Sequence, residues 1–534
     1  MNFVASKYII IRKETMTKEE ALQQYFGFSD FRSGQAEIID AIIDAETNSG
    51  ILVILPTAAG KSILYQLSAL MLEGLTIVIS PLISLMKDQV DYLKSKGIPA
   101  EFYNSSLLDS EKKIIHTKLM RQELKILYVA PERFGDQRFT QALKMTNKIE
   151  LFAVDEAHAI SVWGHDFRPS YRLLKDAIAF LEPRQTIALT ATATKRVQND
   201  ICKQLNIPKA TRFIKGFYRP DLKLVVKTCN ASSKIDRIVK ETTAYINSGV
   251  QTGIIYSPTR KLAEIICDKL KQEKINAILY HAGLTDNVRE ITQTNWFKNG
   301  GIVVATVAFG MGIDKSDVRF VIHAGMPASI ENYYQEIGRA SRDGQGAECT
   351  IYFDPLKDID LQKFFIEMSY PPIDKIELFW DWCVKTTDNN NMIMMTQKEM
   401  GEACKSFIKD FHISGCISKL RENKFIETVA NGKYKIDPDL SIMSHFDFIK
   451  LDEQRRAKFD TLSEMSEFVT NQHNCRMLQI LDYFNDYSRT DSCNKCDICI
   501  KKMLKTRPVD ETKVTDKSNW KRAINLAKEK YGEV

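Results

Sequence analysis

The strongest constraint on how this chain folds is a repeated unit, in which a short apolar run ends in a turn and passes into a segment with helical spacing of its apolar side chains. Ile51-Leu-Val-Ile-Leu55, Thr76-Ile-Val-Ile-Ser-Pro-Leu82, Lys125-Ile-Leu-Tyr-Val-Ala-Pro131, Leu151 to Val154 and Thr186-Ile-Ala-Leu-Thr-Ala-Thr-Ala-Thr194 all fit it. Runs that are apolar at every position suit strands buried on both faces, and strands alternating with helices build a parallel sheet covered on both sides. Chemistry in such a sheet gathers at the carboxyl ends of the strands. Near Gly216-Phe-Tyr-Arg-Pro220 the alternation restarts, with strands at Gly253 to Pro258, Ala277 to Gly283, Gly301 to Thr306 and Val318 to His323. Two similar α/β lobes follow, and a length of 534 residues leaves room for further domains, roughly three to five in all.

Only the first lobe carries a phosphate loop. Ile51 to Leu55 leads into Pro56-Thr57-Ala58-Ala59-Gly60-Lys61-Ser62 and then the helical run Ile63, Leu64, Leu67, Leu70, Met71. In a strand, tight loop and helix of this kind, loop N–H groups and the helix start bind a β-phosphate, the lysine reaches the β and γ phosphates, and the hydroxyl takes magnesium. The full pattern has glycine where this chain has Leu55. Upstream, Phe26-Gly-Phe-Ser-Asp-Phe-Arg32-Ser-Gly-Gln35 places a glutamine able to read both edges of an adenine beside aromatic residues.

A second chemical stretch runs Asp155-Glu156-Ala-His-Ala-Ile-Ser-Val-Trp163-Gly-His165-Asp-Phe167-Arg168-Pro169. Two carboxylates at the tip of a buried strand suit a magnesium ion and a water nucleophile. Trp163, His165, Phe167 and Arg168 are suited to stacking on nucleobases and holding phosphate. The hydroxyls of Thr190, Thr192 and Thr194 are suited to linking the acidic tip to the second lobe. That lobe, lacking its own nucleotide loop, supplies Gln335, Arg339 and Arg342 on a helix expected over Ser329 to Arg342. Arginines so placed can close on a γ-phosphate.

The remaining third is helical and irregular. Thr396 to Lys405, His412 to Asn423 and Phe425 to Ile436 read as helix, helix and hairpin, with Asn431-Gly432 as the turn signal. These are the parts of a winged helix, and equally of a small structural α+β insert. Eleven cysteines do not imply disulfides in a chain this long. Seven lie among apolar neighbours, whereas Cys475, Cys493, Cys496 and Cys499 form Cys-x17-Cys-x2-Cys-x2-Cys, a spacing suited to a closed tetrahedral zinc site. Leu451, Phe459, Leu462, Met465 and Val469, then Met477, Leu478, Leu481 and Phe484, mark two helices beside it.

Hydrophobic residues at 44% and charged residues at 27% are ordinary for a globular protein. Of the formal net charge of +6, residues 501–534 contribute +5, so a nucleic-acid surface on the body must be a local patch. No apolar run is long enough to cross a bilayer. The default expectation is a cytoplasmic protein, nucleoid-associated if bacterial.

Taken together, Gly27 to Gln35, Asp155 to His158 with Trp163 to Pro169, Val303 to Asp314 and Tyr333 to Gly344 closely resemble the RecQ family of superfamily-2 DNA helicases, from about Tyr25 to Phe353 and again over Cys475 to Cys499. The resemblance implies an ATP-driven motor that tracks 3′ to 5′ along single-stranded DNA and separates duplex. It implies Arg32 and Gln35 as adenine readers, Lys61 and Ser62 as phosphate and magnesium ligands, and Asp155 as second magnesium partner. Glu156 would orient the attacking water, Gln335, Arg339 and Arg342 would serve the γ-phosphate, and Trp163, His165, Phe167 and Arg168 would let DNA binding switch on hydrolysis. Ala58, Ala59 and Ser341 stand where the family usually has glycine, and alanine in a left-handed conformation costs about 1 kcal/mol. The family's zinc module usually follows the motor directly, whereas here a winged-helix-like segment intervenes.

The expected architecture is therefore an N-terminal tail (1–17), a RecA-like lobe (18–210), a second RecA-like lobe (211–355), a winged-helix-like module (356–445), a helical hairpin with a zinc site (446–505) and a basic tail (506–534). The expected cofactors are ATP, Mg2+ and Zn2+. Expected partners are single-stranded DNA and forked or overhanging duplex, with no membrane, and the chain is expected to be a monomer. An RNA helicase and a DNA-binding scaffold with a lapsed motor are the competing functions.

Overall fold

The computed structural model describes residues 16–44, 49–56, 59–146, 148–161, 163, 167–309, 315–429 and 433–506. Both expected tails lie almost wholly outside this set, as do Thr57, Ala58, His165 and residues 310–314.

Seven parallel strands form the first sheet: β1 (Ser49–Ile54), β2 (Leu75–Ile79), β3 (Ala100–Tyr103), β4 (Ile126–Val129), β5 (Ile149–Val154), β6 (Gln185–Thr190) and β7 (Thr211–Ile214), in the order β3-β4-β2-β5-β6-β1-β7. β2, β4, β5 and β6 are buried along their whole length, as their largely apolar runs require; the charged exception, Glu150 in β5, is paired with Arg184 at 2.7 Å. The edge strands β3 and β7 carry mixed residues, Ala-Glu-Phe-Tyr and Thr-Arg-Phe-Ile. β7 pairs with β1, Ile51 opposite Thr211 through Ile54 opposite Ile214. The first lobe therefore runs to Ile214, beyond the boundary expected at 210, because an edge strand needs only one apolar face and leaves a weak sequence signal.

The second sheet has β8 (Leu222–Thr228), β9 (Thr252–Tyr256), β10 (Ala277–Tyr280), β11 (Gly301–Ala305), β12 (Phe320–His323) and β13 (Ala347–Phe353), in the order β10-β11-β9-β12-β13-β8, all parallel. Gly253 of β9 is required by packing, since a Cβ there would lie 2.2 Å from the Phe320 ring.

A third, antiparallel sheet joins β14 (Met392–Ile393), β15 (Ile426–Val429) and β16 (Lys433–Ile436), in the order β14-β16-β15. With helices Ile373–Thr386, Gln397–Cys404 and Asp410–Glu422, the chain order helix, strand, helix, helix, strand, strand is that of a winged helix. The register sets Val429 opposite Lys433; Asn431 and Gly432, the expected turn, lie outside the described residues. The helix that a winged helix uses for duplex is largely buried, Ile413, Cys416 and Leu420 being core residues. Gly415 lets it approach helix Asp358–Ser369, because a Cβ would meet the Met368 carbonyl at 2.2 Å.

Helices Phe448–Thr470, Arg476–Tyr483 and Asp497–Thr506 are the last of the described residues' elements. They share one apolar core with both lobes: Phe468, Met477 and Phe484 cluster with Tyr333, Tyr334 and Phe217. Among the described residues no helix is long and apolar enough to cross a membrane.

Candidate functional site

The phosphate loop follows β1 and the acidic pair follows β5, with β6 between them in the sheet, so both open on the same carboxyl edge. Helix Lys61–Met71 begins at Gly60, whose φ of +75° is left-handed. Ala59 N–H donates to the Pro56 carbonyl at 3.1 Å; Ala58 lies outside the described residues. Lys61 Nζ donates to the Leu55 and Pro56 carbonyls at 3.1 and 3.3 Å, inside the loop. Burial pulls the Lys61 pKa down, opposed by Glu156 and Asp155 and assisted by Arg342. Arg342 of the second lobe thus stands within electrostatic reach of the loop lysine.

Gln35 lies against this loop rather than apart from it. Its Nε2 donates to the Ala59 and Gly60 carbonyls at 3.0 and 3.2 Å, and its Oε1 accepts from Arg32 N–H at 2.9 Å. A Cβ on Gly60 would meet that Nε2 at 2.7 Å. The glutamine that was expected to read adenine is therefore bonded, in this conformation, to the backbone of the phosphate cradle.

Asp155 Oδ1 accepts from the Glu156 N–H at 2.9 Å, and the Asp155 carbonyl accepts from Tyr171 Oη at 2.9 Å. Burial first, then the neighbouring Glu156 carboxylate, pushes the Asp155 carboxyl up to about 7. Glu156 takes φ +47°, a conformation that costs an L residue about 1–2 kcal/mol and turns its carboxylate toward His158. His158 Nδ1 lies 3.3 Å from Glu156 Oε2 and 2.9 Å from Thr190 Oγ1.

The threonine row continues this line. Thr190 Oγ1 donates to the Thr192 carbonyl at 3.2 Å, and Thr192 Oγ1 accepts from Gln335 Nε2 of the second lobe at 3.2 Å. Thr194 instead caps helix Lys195–Gln204. An unbroken path of polar contacts joins Glu156 to the second lobe.

On that lobe the helix spans Ile330–Ile337, shorter than the expected Ser329 to Arg342. It ends with Gly338 as its cap, Ala340 N–H bonds back to the Ile337 carbonyl at 3.0 Å, and Ser341 takes φ +52°, so Arg339 and Arg342 stand beyond the helix on a turn. Arg339 bonds the Tyr256 hydroxyl within its own lobe, while Arg342 faces Lys61. The turn is clamped by a residue the sequence reading did not single out: Arg219 Nη2 donates to the Ala340 and Ser341 carbonyls at 2.8 and 3.3 Å and pairs with Asp221 at 2.6 Å. Ser341 Oγ accepts from Gly346 N–H at 2.8 Å and donates to Asp221. Because two hydroxyl bonds are made, serine can occupy a position suited to glycine.

Of the aromatic stretch, Arg168 donates to the Pro81 carbonyl at 3.1 Å, after β2. The Arg172 guanidinium lies over the Phe167 ring at 5.2 Å, and that of Arg196 over Trp163 at 3.3 Å. His165 lies outside the described residues.

The four clustered cysteines come together: their sulfurs all lie within 4.8 Å of one another, and all four residues are buried. Backbone N–H groups of Cys493, Cys496 and Cys499 point at Cys475, Cys493 and Cys496 sulfurs at 3.3, 3.3 and 3.4 Å. Thiol donation from Cys493 and Cys496 draws the Cys475 pKa down, whereas burial pushes Cys499 up to about 11. Four soft donors with N–H groups aimed at their sulfurs fit tetrahedral zinc, for which Zn–S is about 2.3 Å.

Two parallel-sheet lobes, one phosphate loop between them and an opposing arginine define a two-lobed nucleotide-binding core of the helicase kind. Residues 32–201 match the DEAD/DEAH box helicase family, 233–344 the helicase conserved C-terminal domain and 438–500 the RecQ zinc-binding domain. The chain is 47% identical over 354 residues to the ATP-dependent DNA helicase RecQ of Bacillus subtilis, covering 66% of this chain and 58% of that protein. It is 32% identical over 484 residues to the probable ATP-dependent DNA helicase RecS of the same organism, covering 90% and 91%. Among solved structures, the DEAD-box helicase Mss116 bound to ssRNA and UDP-BeF shares the fold at a TM-score of 0.53 and 15% identity, over 84% of this chain and 90% of that one. The chain belongs to the RecQ helicase family. It spans somewhat over half the length of the RecQ proteins it matches, 58% of the Bacillus subtilis protein.

Proposed function

We propose that this chain is an ATP- and magnesium-dependent DNA helicase that translocates 3′ to 5′ on single-stranded DNA and unwinds forked or overhanging duplex, in recombination and repair, as a cytoplasmic monomer. The observation that carries this reading is the hydrogen bond from second-lobe Gln335 to Thr192 of the first lobe at 3.2 Å, with Arg342 within electrostatic reach of Lys61. A site divided between two lobes is completed or broken by their relative movement, which is how hydrolysis becomes translocation. Relatives named as ATP-dependent DNA helicases support the substrate class.

In this mechanism the loop amides and Lys61 hold the β and γ phosphates, with Lys61 giving up its carbonyl partners. Ser62 and Asp155 are hard oxygen donors, and the Asp155 carboxyl is buried beside that of Glu156, so the pair fits magnesium. Bound magnesium would neutralise phosphate charge. Glu156, oriented by His158, positions the attacking water and takes its proton. Arg342, and Arg339 once it leaves Tyr256, stabilises charge on the transferred phosphoryl group. Gln335, reporting through Thr192 to Thr190 and His158, links lobe closure to the Glu156 carboxylate.

Strand displacement on duplexes with defined overhangs tests the reading. Unwinding is expected from a 3′ overhang and from forks, and is expected to vanish with Lys61→Ala. ATP hydrolysis in Lys61→Ala equal to that of the parent would favour a lapsed motor. Stimulation of ATP hydrolysis by single-stranded RNA but not DNA would favour an RNA helicase.

A further inference from the structure

Trp163 belongs to the stretch expected to stack on bases, yet its ring is already covered. The Arg196 guanidinium lies over it with Cζ 3.3 Å from the ring centroid, and the half-buried indole packs against the first-lobe core. A guanidinium at that distance is planar, cationic and in stacking contact, so it makes the interaction that a nucleobase would make with the same face. The two residues are far apart in the chain, and Arg196 is held on a regular element. It is the second residue of helix Lys195–Gln204, whose start is fixed by Thr194 accepting from Val197 N–H. Immediately upstream, Thr192 takes the hydrogen bond from Gln335 of the second lobe.

We propose that Arg196 is a positioning residue that stands in for a nucleobase: its guanidinium covers the Trp163 ring in the absence of nucleic acid, and an incoming base displaces it. The inference rests on the reading that this stretch stacks on bases. No bond is made or broken; one stacked group exchanges for another. Because the contact must be given up first, Arg196 sets how much single-stranded DNA is needed to switch the motor on. The arginine so released leaves from the helix start that also touches the second lobe.

The test is ATP hydrolysis by the full chain as a function of oligo(dT) concentration, with oligonucleotide binding followed by fluorescence anisotropy. Arg196→Ala is expected to lower the half-stimulating and half-binding concentrations by roughly threefold or more. Arg196→Lys, which keeps a cation over the ring, is expected to return most of the way to the parent. Should the alanine variant not fold, Arg196→Gln gives the same reading. An unchanged half-stimulating concentration overturns the proposal, and so does a rise, which is what loss of a phosphate contact produces. Trp163→Ala separates the two levels. If DNA stimulation survives it, the base-stacking reading itself fails; if stimulation is lost while Arg196→Ala behaves as the parent, only the stand-in role fails.

Discussion

At the scale of residues, the candidate site is built around strained or displaced groups that secondary contacts hold in place. Ser341 at φ +52° carries a left-handed cost of about 1 kcal/mol, offset by hydroxyl hydrogen bonds each contributing about 1 kcal/mol. Ser341→Gly removes both the cost and the bonds, so its urea midpoint is expected near that of the parent. Ser341→Ala keeps the cost and loses the bonds, and is expected to destabilise by about 1–2 kcal/mol. Asp155 gives a second expectation. Its folded carboxyl, pushed up to about 7, binds a proton that a cation must displace. Magnesium-dependent nucleotide binding should therefore weaken as pH falls below 7 and level off above it, which a magnesium titration at pH 6 and pH 8 would show. Of the residues singled out in the sequence, Lys61, Asp155 and Glu156 lie at one sheet edge, Gln335 bonds Thr192 and Arg342 is within electrostatic reach of Lys61; their roles are part of the proposal. What could not be read was conformation. Nothing in the letters shows that Gln35 turns onto the phosphate loop, that Glu156 is left-handed, or that Arg196 reaches Trp163 from another element.

At the scale of elements, legibility followed burial in the first sheet but not in the second, where the edge strand β10 is legible and the interior β13, opening Ala-Glu-Cys-Thr, is not. Central strands such as β2 and β5 are apolar at nearly every position because both faces are covered, and they were found; β3 and β7, each with a neighbour on one side only, were not. The helix expected over Ser329 to Arg342 ends at Ile337 with Gly338 as its cap, and the turn beyond it is held by the distant Arg219, which the local pattern does not show. The winged-helix order is present, but its character differs from a duplex reader. Residues 373–451 hold eleven Lys/Arg against twelve Asp/Glu, and Lys419 on the helix Asp410–Glu422 is buried over the Tyr370 ring and paired with Glu422. That helix is committed to packing. Gly415→Ala, which drives a Cβ into the Met368 carbonyl, is expected to destabilise by about 1–3 kcal/mol, read by denaturant unfolding, with duplex affinity measured at low temperature remaining close to that of the parent.

At the scale of the whole molecule, the thiol cluster is joined to the motor rather than appended to it. Tyr483 donates to Glu331 at 2.6 Å and Phe468 lies 5.5 Å from the Tyr333 ring, so helices of the zinc module back the helix that leads to the arginine turn. One zinc per folded chain is expected by metal analysis, lost together with solubility in Cys496→Ser; folded, metal-free protein would refute the assignment. Because metal binding contributes folding free energy, chelation is expected to lower the melting temperature of the second lobe as well.

The same attachment decides where the lobes can turn. Lys215 is paired with Glu37 of the first lobe. From the next side chain onward the connecting segment belongs to the other body: Phe217 N–H donates to Asp486 and its ring stacks on Phe484, Arg489 lies over Tyr218, and Lys495 donates to the Pro220 carbonyl. Between these anchors stands Gly216, at φ +81° and with room for a Cβ only at 3.4 Å from the Pro56 ring. The one residue between the two sets of anchors is thus a left-handed glycine, placed beside the proline that opens the phosphate cradle.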